Sequence, residues 1–204
     1  MVERIAIQGK LPVGAIDTRA SGWWAMIFVI FTEASLFAYL LFSYFYIAVQ
    51  PHLPGTFPEG GMPSLMLALP NTFILLLSSV AVGWAQFNIE HDDNRHLVAG
   101  LGIGAILGMI FLVLQYFEWA GKPFGLTSSP YSSLYFTVTG FHMAHVVVGV
   151  IILWSLFAWS LMGYFNRVRY AHIHIGALYW HFVDAVWLVV FFTFYITPLL
   201  GMKS

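Results

Sequence analysis

The sequence has no cysteine and very little charge. Lys, Arg, Asp and Glu make up 8% of its 204 residues, against about 25% in an ordinary soluble domain. The missing cysteine excludes disulfides, thiolate metal sites, iron–sulfur clusters and cysteine nucleophiles, and leaves the redox compartment open. The missing charge excludes a water-solvated fold. With 60% hydrophobic residues and a mean hydropathy of +0.81, the chain cannot cover its apolar side chains with polar ones, so lipid is the solvent for most of it. A net charge of −1, a pI of about 6.7 and the lack of any basic run remove the electrostatic footprint of a nucleic-acid binder. There is no phosphate loop, no G-x-G-x-x-G and no G-x-S-x-G elbow, so the motifs give no catalytic centre and no metal site. The opening MVERIAIQGKLPVGAIDTRASG is broken by Gln8, Lys10, Asp17 and Arg19. It reads as a polar tail over residues 1–22, without the apolar core of a signal peptide.

Long apolar runs and aromatics are abundant, the latter at 18%, which suits interfacial belts and bulky packing. Five segments, about 23–49, 65–88, 97–120, 131–164 and 176–200, each reach the roughly 20 residues a spanning helix needs. The connectors carry turn chemistry: QPHLPGTFPEGGMP, EHDDNRH, GKPFGLTSSP and NRVRYAHIH. Without an internal repeat or a linker, the expectation is one domain over residues 1–204, an all-α polytopic membrane bundle of five helices. Arg4, Lys10, Arg19, Arg95, Arg167 and Arg169 fall on one side of such a bundle, against Lys122 and Lys203 on the other. The positive-inside rule then places the N-terminus in the cytoplasm and the C-terminus outside. Gly100, Gly104 and Gly108 form a small-xxx-small ladder on the third segment that lets a helix approach closely. Pro70, inside the second segment, either kinks it or marks its true start.

Ionisable groups inside lipid are costly and usually have a partner or a task. The segments contain Glu33, Glu118, His142, His145, His181 and Asp184. At about 1.5 Å per residue, Glu33 lies about 15 Å into the first helix, Asp184 about 12 Å into the fifth, and His142 and His145 about 15–20 Å into the fourth. These depths allow the groups to meet in the cytoplasmic half of the bundle, while Glu118 sits near the outer end of its helix. His142 with His145 and His181 with Asp184 share helix faces at i, i+3. Three readings stay open for the set: a hydrogen-bonded interior network, a proton-holding role centred on Glu33, and a metal or haem site.

The residues themselves resemble a known family. FTEASLFAYLL is similar to the S-E-x-x-F-F segment of cytochrome c oxidase subunit III, with Thr32 where serine is frequent. LPNTFILLLSSVAVGWA resembles its L-N-T segment, and LQYFEW its L-Q-x-x-E-Y segment. YSSLYFTVTGFHMAHVVVGV resembles its A-T-G-F-H-G-L-H-V-x-x-G signature, with Met143 in place of a glycine. YWHFVDAVW is close to the last-helix motif. Order and spacing agree from about Trp23 to the C-terminus, in the manner of the short five-helix bacterial form that lacks the long form's first two helices.

The resemblance implies a subunit beside the catalytic subunit I of a haem–copper oxidase, with subunit II and small subunits as further partners. It implies haem and copper in those partners and none here, bound phospholipid, and a bacterial plasma-membrane location. Glu33 matches the family's carbodiimide-reactive carboxylate. Arg95, Arg167 and Arg169 are candidates for lipid head groups by position. The complex would reduce dioxygen and pump protons, this chain stabilising the catalytic subunit and sustaining proton uptake. The electron donor, cytochrome c or quinol, is not written in this chain, and a homologue associated with nitric oxide reductase remains an alternative. So do two other classes, a small proton-coupled transporter and a membrane b-type cytochrome using His142 or His145 with His181.

Overall fold

The computed structural model of the chain describes residues 21–50, 63–91, 93–165 and 170–200. Within them the regular structure is helical: α1 Ser21–Ala48, α2 Leu65–Glu90, α3 Asn94–Ala120, α4 Pro130–Leu161 and α5 Ala171–Phe191. A π-helical stretch, Phe192–Ile196, and a last turn, Thr197–Leu199, prolong α5. All five spans are long and apolar enough to cross a membrane. Most of the tail, together with Arg167 and Arg169, lies outside the described residues.

Local sequence explains where the helices start and stop. Ser64 caps α2 by accepting from the Met66 N–H at 3.3 Å, so Pro70 lies inside the helix and does not mark its start. Asp93 caps α3, accepting from the His96 N–H at 3.2 Å. Its other oxygen lies 2.5 Å from His96 Nδ1. The two His96 contacts hold the Asp93 carboxyl below the ordinary carboxylate range, because they favour its charged form. Ser129 and Ser132 close a capping box on α4, with Pro130 as the first helical residue, where its missing N–H is harmless.

The π turn has an identifiable cause. Pro198 cannot donate to the Phe194 carbonyl, and its ring crowds that carbonyl. One residue earlier, the Thr197 N–H reaches back to Phe192 O, one step beyond the α-helical spacing. The wider turn leaves Thr193, Phe194 and Tyr195 all buried.

The fifth helix begins at Ala171 instead of near Gly176. The polar look of His172 and His174 suggested a loop, yet both are helical. The fourth correspondingly ends at Leu161 and does not reach Tyr164. Asp184 is thereby thirteen residues into α5, about 20 Å from its start, deeper than the sequence alone placed it.

α2 and α3 form a tight antiparallel pair across a connection of three residues, 91–93. Their closest approach runs along Gly100 and Gly104. A Cβ on Gly100 would come within 2.7 Å of Ala81 O and 2.8 Å of Ala85 Cβ, and one on Gly104 within 2.6 Å of Val82 Cγ2. Gly108, the third member of the ladder, faces elsewhere: a Cβ there would meet Trp180 Cη2 at 2.7 Å.

α5 is the central element. It packs against α1, α2 and α4 and reaches α3 through Trp180 and through Trp187, whose ring meets Phe111 edge-on at 4.9 Å. A ladder of polar contacts ties it to α2. Gln86 Nε2 lies 2.7 Å from His174 Nδ1, and Ser79 Oγ lies 2.6 Å from His181 Nδ1. The Trp180 indole donates to Ser78 Oγ at 3.1 Å and the Trp187 indole to Thr72 Oγ1 at 3.0 Å. Rising numbers on α5 meet falling numbers on α2, so the two helices are antiparallel and held in one register. The outward surface is apolar, including Phe28, Phe31, Phe42, Leu77, Val80 and Ile151, as a lipid-solvated bundle requires.

Candidate functional site

The six buried or membrane-depth ionisable groups do not form one cluster. They separate into three places.

The first is a pair at mid-span. Glu33 lies twelve residues into α1 and His145 fifteen into α4, about 18 Å and 22 Å from the helix starts. His145 Nε2 lies 3.0 Å from Glu33 Oε2, while its Nδ1 lies 2.7 Å from the Phe141 carbonyl one turn back. A carbonyl only accepts, so Nδ1 carries a hydrogen. Nε2 therefore either accepts from a protonated Glu33 or donates to an ionised one. In both cases one proton lies between the two side chains. Phe37 covers the imidazole at 5.2 Å edge-to-face, and the Tyr179 hydroxyl reaches the His145 carbonyl at 3.4 Å. The His145 side chain is 15% exposed and that of Glu33 31%.

The second place is the α2–α5 seam. Asp184 is buried there, with Ser79 as a polar neighbour. The Ser79 hydroxyl is engaged by His181, and both Asp184 oxygens are left without a hydrogen bond. His142 is fully buried and turns away from His145. Its Nε2 donates to the Val183 carbonyl of α5 at 3.2 Å, and its ring lies 4.8 Å from that of Trp187.

The third place is the far end of α3. Glu118 accepts from the Tyr195 hydroxyl, and Lys122 Nζ lies 3.1 Å from the same oxygen. The Tyr135 hydroxyl is 2.9 Å from that of Tyr195, and Lys122 stands over both rings, 5.0 Å and 5.4 Å from their centroids. One turn inward, Asn71 Nδ2 donates to Gln115 Oε1 at 3.3 Å across the α2–α3 seam.

Sequence reasoning named Glu33, Glu118, His142, His145, His181 and Asp184 but not their partners Ser79, Tyr135 and Tyr195. Lys122 was findable, since it stands at i+4 from Glu118. Tyr195 was not, because its inward aim depends on the π turn. Among the described residues no three His, Asp or Glu side chains are grouped so as to hold a metal ion. Arg95 is exposed in the first turn of α3.

Comparison with known proteins decides the family. The model described as cytochrome c oxidase subunit III matches residues 15–198. The chain belongs to the cytochrome c oxidase subunit III family. Three relatives named cytochrome c oxidase subunit 3, from Drosophila melanogaster, Homo sapiens and Bos taurus, are each 33% identical over 177 residues, covering 84% of this chain and 68% of theirs. A subunit III belongs to an oxidase complex together with catalytic subunits, and its five spans make this chain a membrane protein. In this subunit III the motif residues occupy the bundle interior or its mid-depth. The histidines of GFHMAH point one to α5 and one to α1, and Asp184 of the last-helix motif points to α2.

Proposed function

We propose that this chain is the non-redox third subunit of a proton-pumping haem–copper oxidase in a bacterial plasma membrane. It braces the catalytic subunit and sustains its proton uptake, while haem and copper reside in the partner subunits. The observation carrying the reading is the Glu33–His145 pair, a proton held between two side chains at mid-membrane in a chain of this family. Such a pair exchanges its proton without a bare charge ever forming in lipid, where one costs several kcal/mol (about 3 by insertion scales). The relatives' name, cytochrome c oxidase, supports cytochrome c over quinol as the electron donor of the complex. The distribution of Lys and Arg supports a cytoplasmic N-terminus. The exposure of Arg95 at the start of α3 supports a role for it as partner to a phospholipid head group on that side.

Affinity purification through a tag on this chain tests the proposal. The expected product is a complex with a haem absorption spectrum, copper, and dioxygen consumption driven by reduced cytochrome c. Within it, Glu33→Gln is expected to lower sustained turnover while leaving the haem spectrum intact. A chain that purifies without any haem protein would overturn the assignment.

A further inference from the structure

We infer that the face of α1 around Glu33 is a docking surface for a transmembrane helix of a neighbouring subunit, one that presents an N–H or O–H donor at mid-depth. The inference rests on the subunit reading above.

The outward surface makes almost no electrostatic demand on its surroundings. The exposed hydroxyls of Thr32, Ser35, Ser43 and Ser155 fold back onto carbonyls of their own helices, at 2.8–3.0 Å, and lipid tails can cover them. Glu33 differs. Of the Asp, Glu, Lys and Arg side chains described, Glu118, Lys122 and Asp184 are largely buried, and Asp93 and Arg95 lie at a helix start. Glu33 alone combines mid-span depth with 31% exposure. His145 engages its Oε2, which leaves Oε1 as an acceptor without a hydrogen bond among the described residues. Thr32 and Ala34 on either side are exposed, as is Val29 one turn earlier, so this edge opens outward.

Three kinds of cover compete for that position, and chemistry separates them. Lipid tails offer no donor. Lipid head groups are out of reach, because Glu33 is about 18 Å from one end of α1 and about 22 Å from the other, in a hydrocarbon layer about 30 Å thick. A helix of another subunit fits, since at that depth only a helix or a closed barrel can bring a polar side chain with its backbone satisfied. Ala34 and Ala38, both exposed and one turn apart, leave room for close backbone approach beside the carboxyl. The donor on the partner complements the free oxygen and keeps the Glu33–His145 proton out of lipid.

The test uses the complete complex in its native membrane. A photoreactive benzophenone amino acid replaces Ala34 in one version and Leu77, exposed on the outer face of α2, in another. The expected result is a protein adduct from position 34, mapped by mass spectrometry to a transmembrane peptide of a different subunit, with at least tenfold less from position 77. Glu33→Gln, which keeps an acceptor oxygen, retains the adduct, whereas Glu33→Leu lowers its yield severalfold. An adduct at position 34 made only with lipid, or with a second copy of this chain, overturns the inference. So does an equal yield from position 77. If the haem spectrum still co-purifies in those cases, the subunit assignment stands and only the docking surface falls. A preparation with no haem protein overturns both.

Discussion

Gly108 on α3 leaves the space that the Trp180 indole of α5 fills: a Cβ at Gly108 would stand 2.7 Å from Trp180 Cη2 and 3.0 Å from Val150 Cγ2. Gly149 on α4 receives the same ring from the other side, at 2.7 Å from Cε3. Trp180 is therefore seated between two glycines, is wholly buried, and is pinned by its bond to Ser78.

Replacing Gly108 with Ala gains about 1 kcal/mol of helix propensity but overpacks against a ring that cannot move aside, a cost of about 1–3 kcal/mol. Overpacking is expected to win. Gly108→Ala should lower the thermal denaturation midpoint in nanodiscs, and Gly108→Leu should abolish the folded species. An unchanged or raised midpoint for Gly108→Ala would show that the seat is looser than the distances indicate.

Ser78→Ala removes the acceptor for the Trp180 indole, along with the hydroxyl's own bond to the Leu75 carbonyl one turn back. Hydrogen bonds between membrane helices are worth about 0.6 kcal/mol on average and about 1.7 at most. The expected loss is accordingly smaller than that from filling the glycine seat with a large side chain. Comparing Ser78→Ala with Gly108→Leu in one melting series checks whether shape or hydrogen bonding dominates this seam.

Lys122→Met strands Glu118, which is 94% buried by its 6% exposure, with hydroxyls but no cation. Removing one member of a buried pair costs about 3–5 kcal/mol, whereas replacing both is far milder. Lys122→Met is thus expected to destabilise the bundle more than Lys122→Met combined with Glu118→Gln. A double-mutant cycle on thermal stability measures the difference, and strict additivity would show that the ion pair is not coupled.

The Glu33–His145 pair shares one proton between Oε2 and Nε2, and infrared spectroscopy can tell which side chain carries it. The carboxyl band of the pair should disappear in Glu33→Gln and persist in Asp184→Asn; a band that survives Glu33→Gln unchanged would show that it does not come from this pair. A carboxylate signature alone at neutral pH would place the proton on the imidazole instead.

At the start of α3 the pH dependence has a definite sign. The Asp93 carboxyl is held below its ordinary range by His96, so its contribution is complete above the unfolded-state value and is lost as pH falls through the lowered folded-state value. Amide protection of the first turn of α3 should hold through neutral and mildly acidic pH and drop only in stronger acid. Asp93→Asn, which keeps the capping oxygen, should lose the pH dependence while largely retaining the helix start. A protection loss that begins near neutral pH would show that the Asp93 carboxyl does not govern this helix start.

Much of the bundle was legible in the sequence because hydropathy and turn residues act locally. The apolar runs beginning at 65 and 131 put the starts of α2 and α4 within a residue of Leu65 and Pro130, whereas the caps Ser64, Ser129 and Asp93 were seen only in the structure. The start of α5 was not legible, since His172 and His174 sit in helical conformation at a span's edge, where polar side chains are cheap. The pairing of the histidines was beyond reach for a geometric reason. Residues at i and i+3 are about 60° apart around a helix, and where α4 meets both α1 and α5 that angle sends His145 to Glu33 and His142 to Val183. Equal depth was readable, but the neighbour each side chain faces was not. The ladder of glycines was readable as a close-contact stripe, yet only the packed bundle assigns Gly100 and Gly104 to α2 and Gly108 to Trp180.

The central position of α5 bears on how the chain is made. During synthesis α5 is the last of the five helices to leave the ribosome, yet Thr72, Ser78, Ser79, Gln86, His142 and Glu118 all meet their partners on it. Until it enters, four helices wait in the membrane with those side chains turned toward a place not yet filled. A chain stopped before residue 171 would hold every earlier span and none of those contacts. The commitment to a single packing comes only when the fifth helix enters, which makes residues 171–200 the checkpoint for the five-helix bundle.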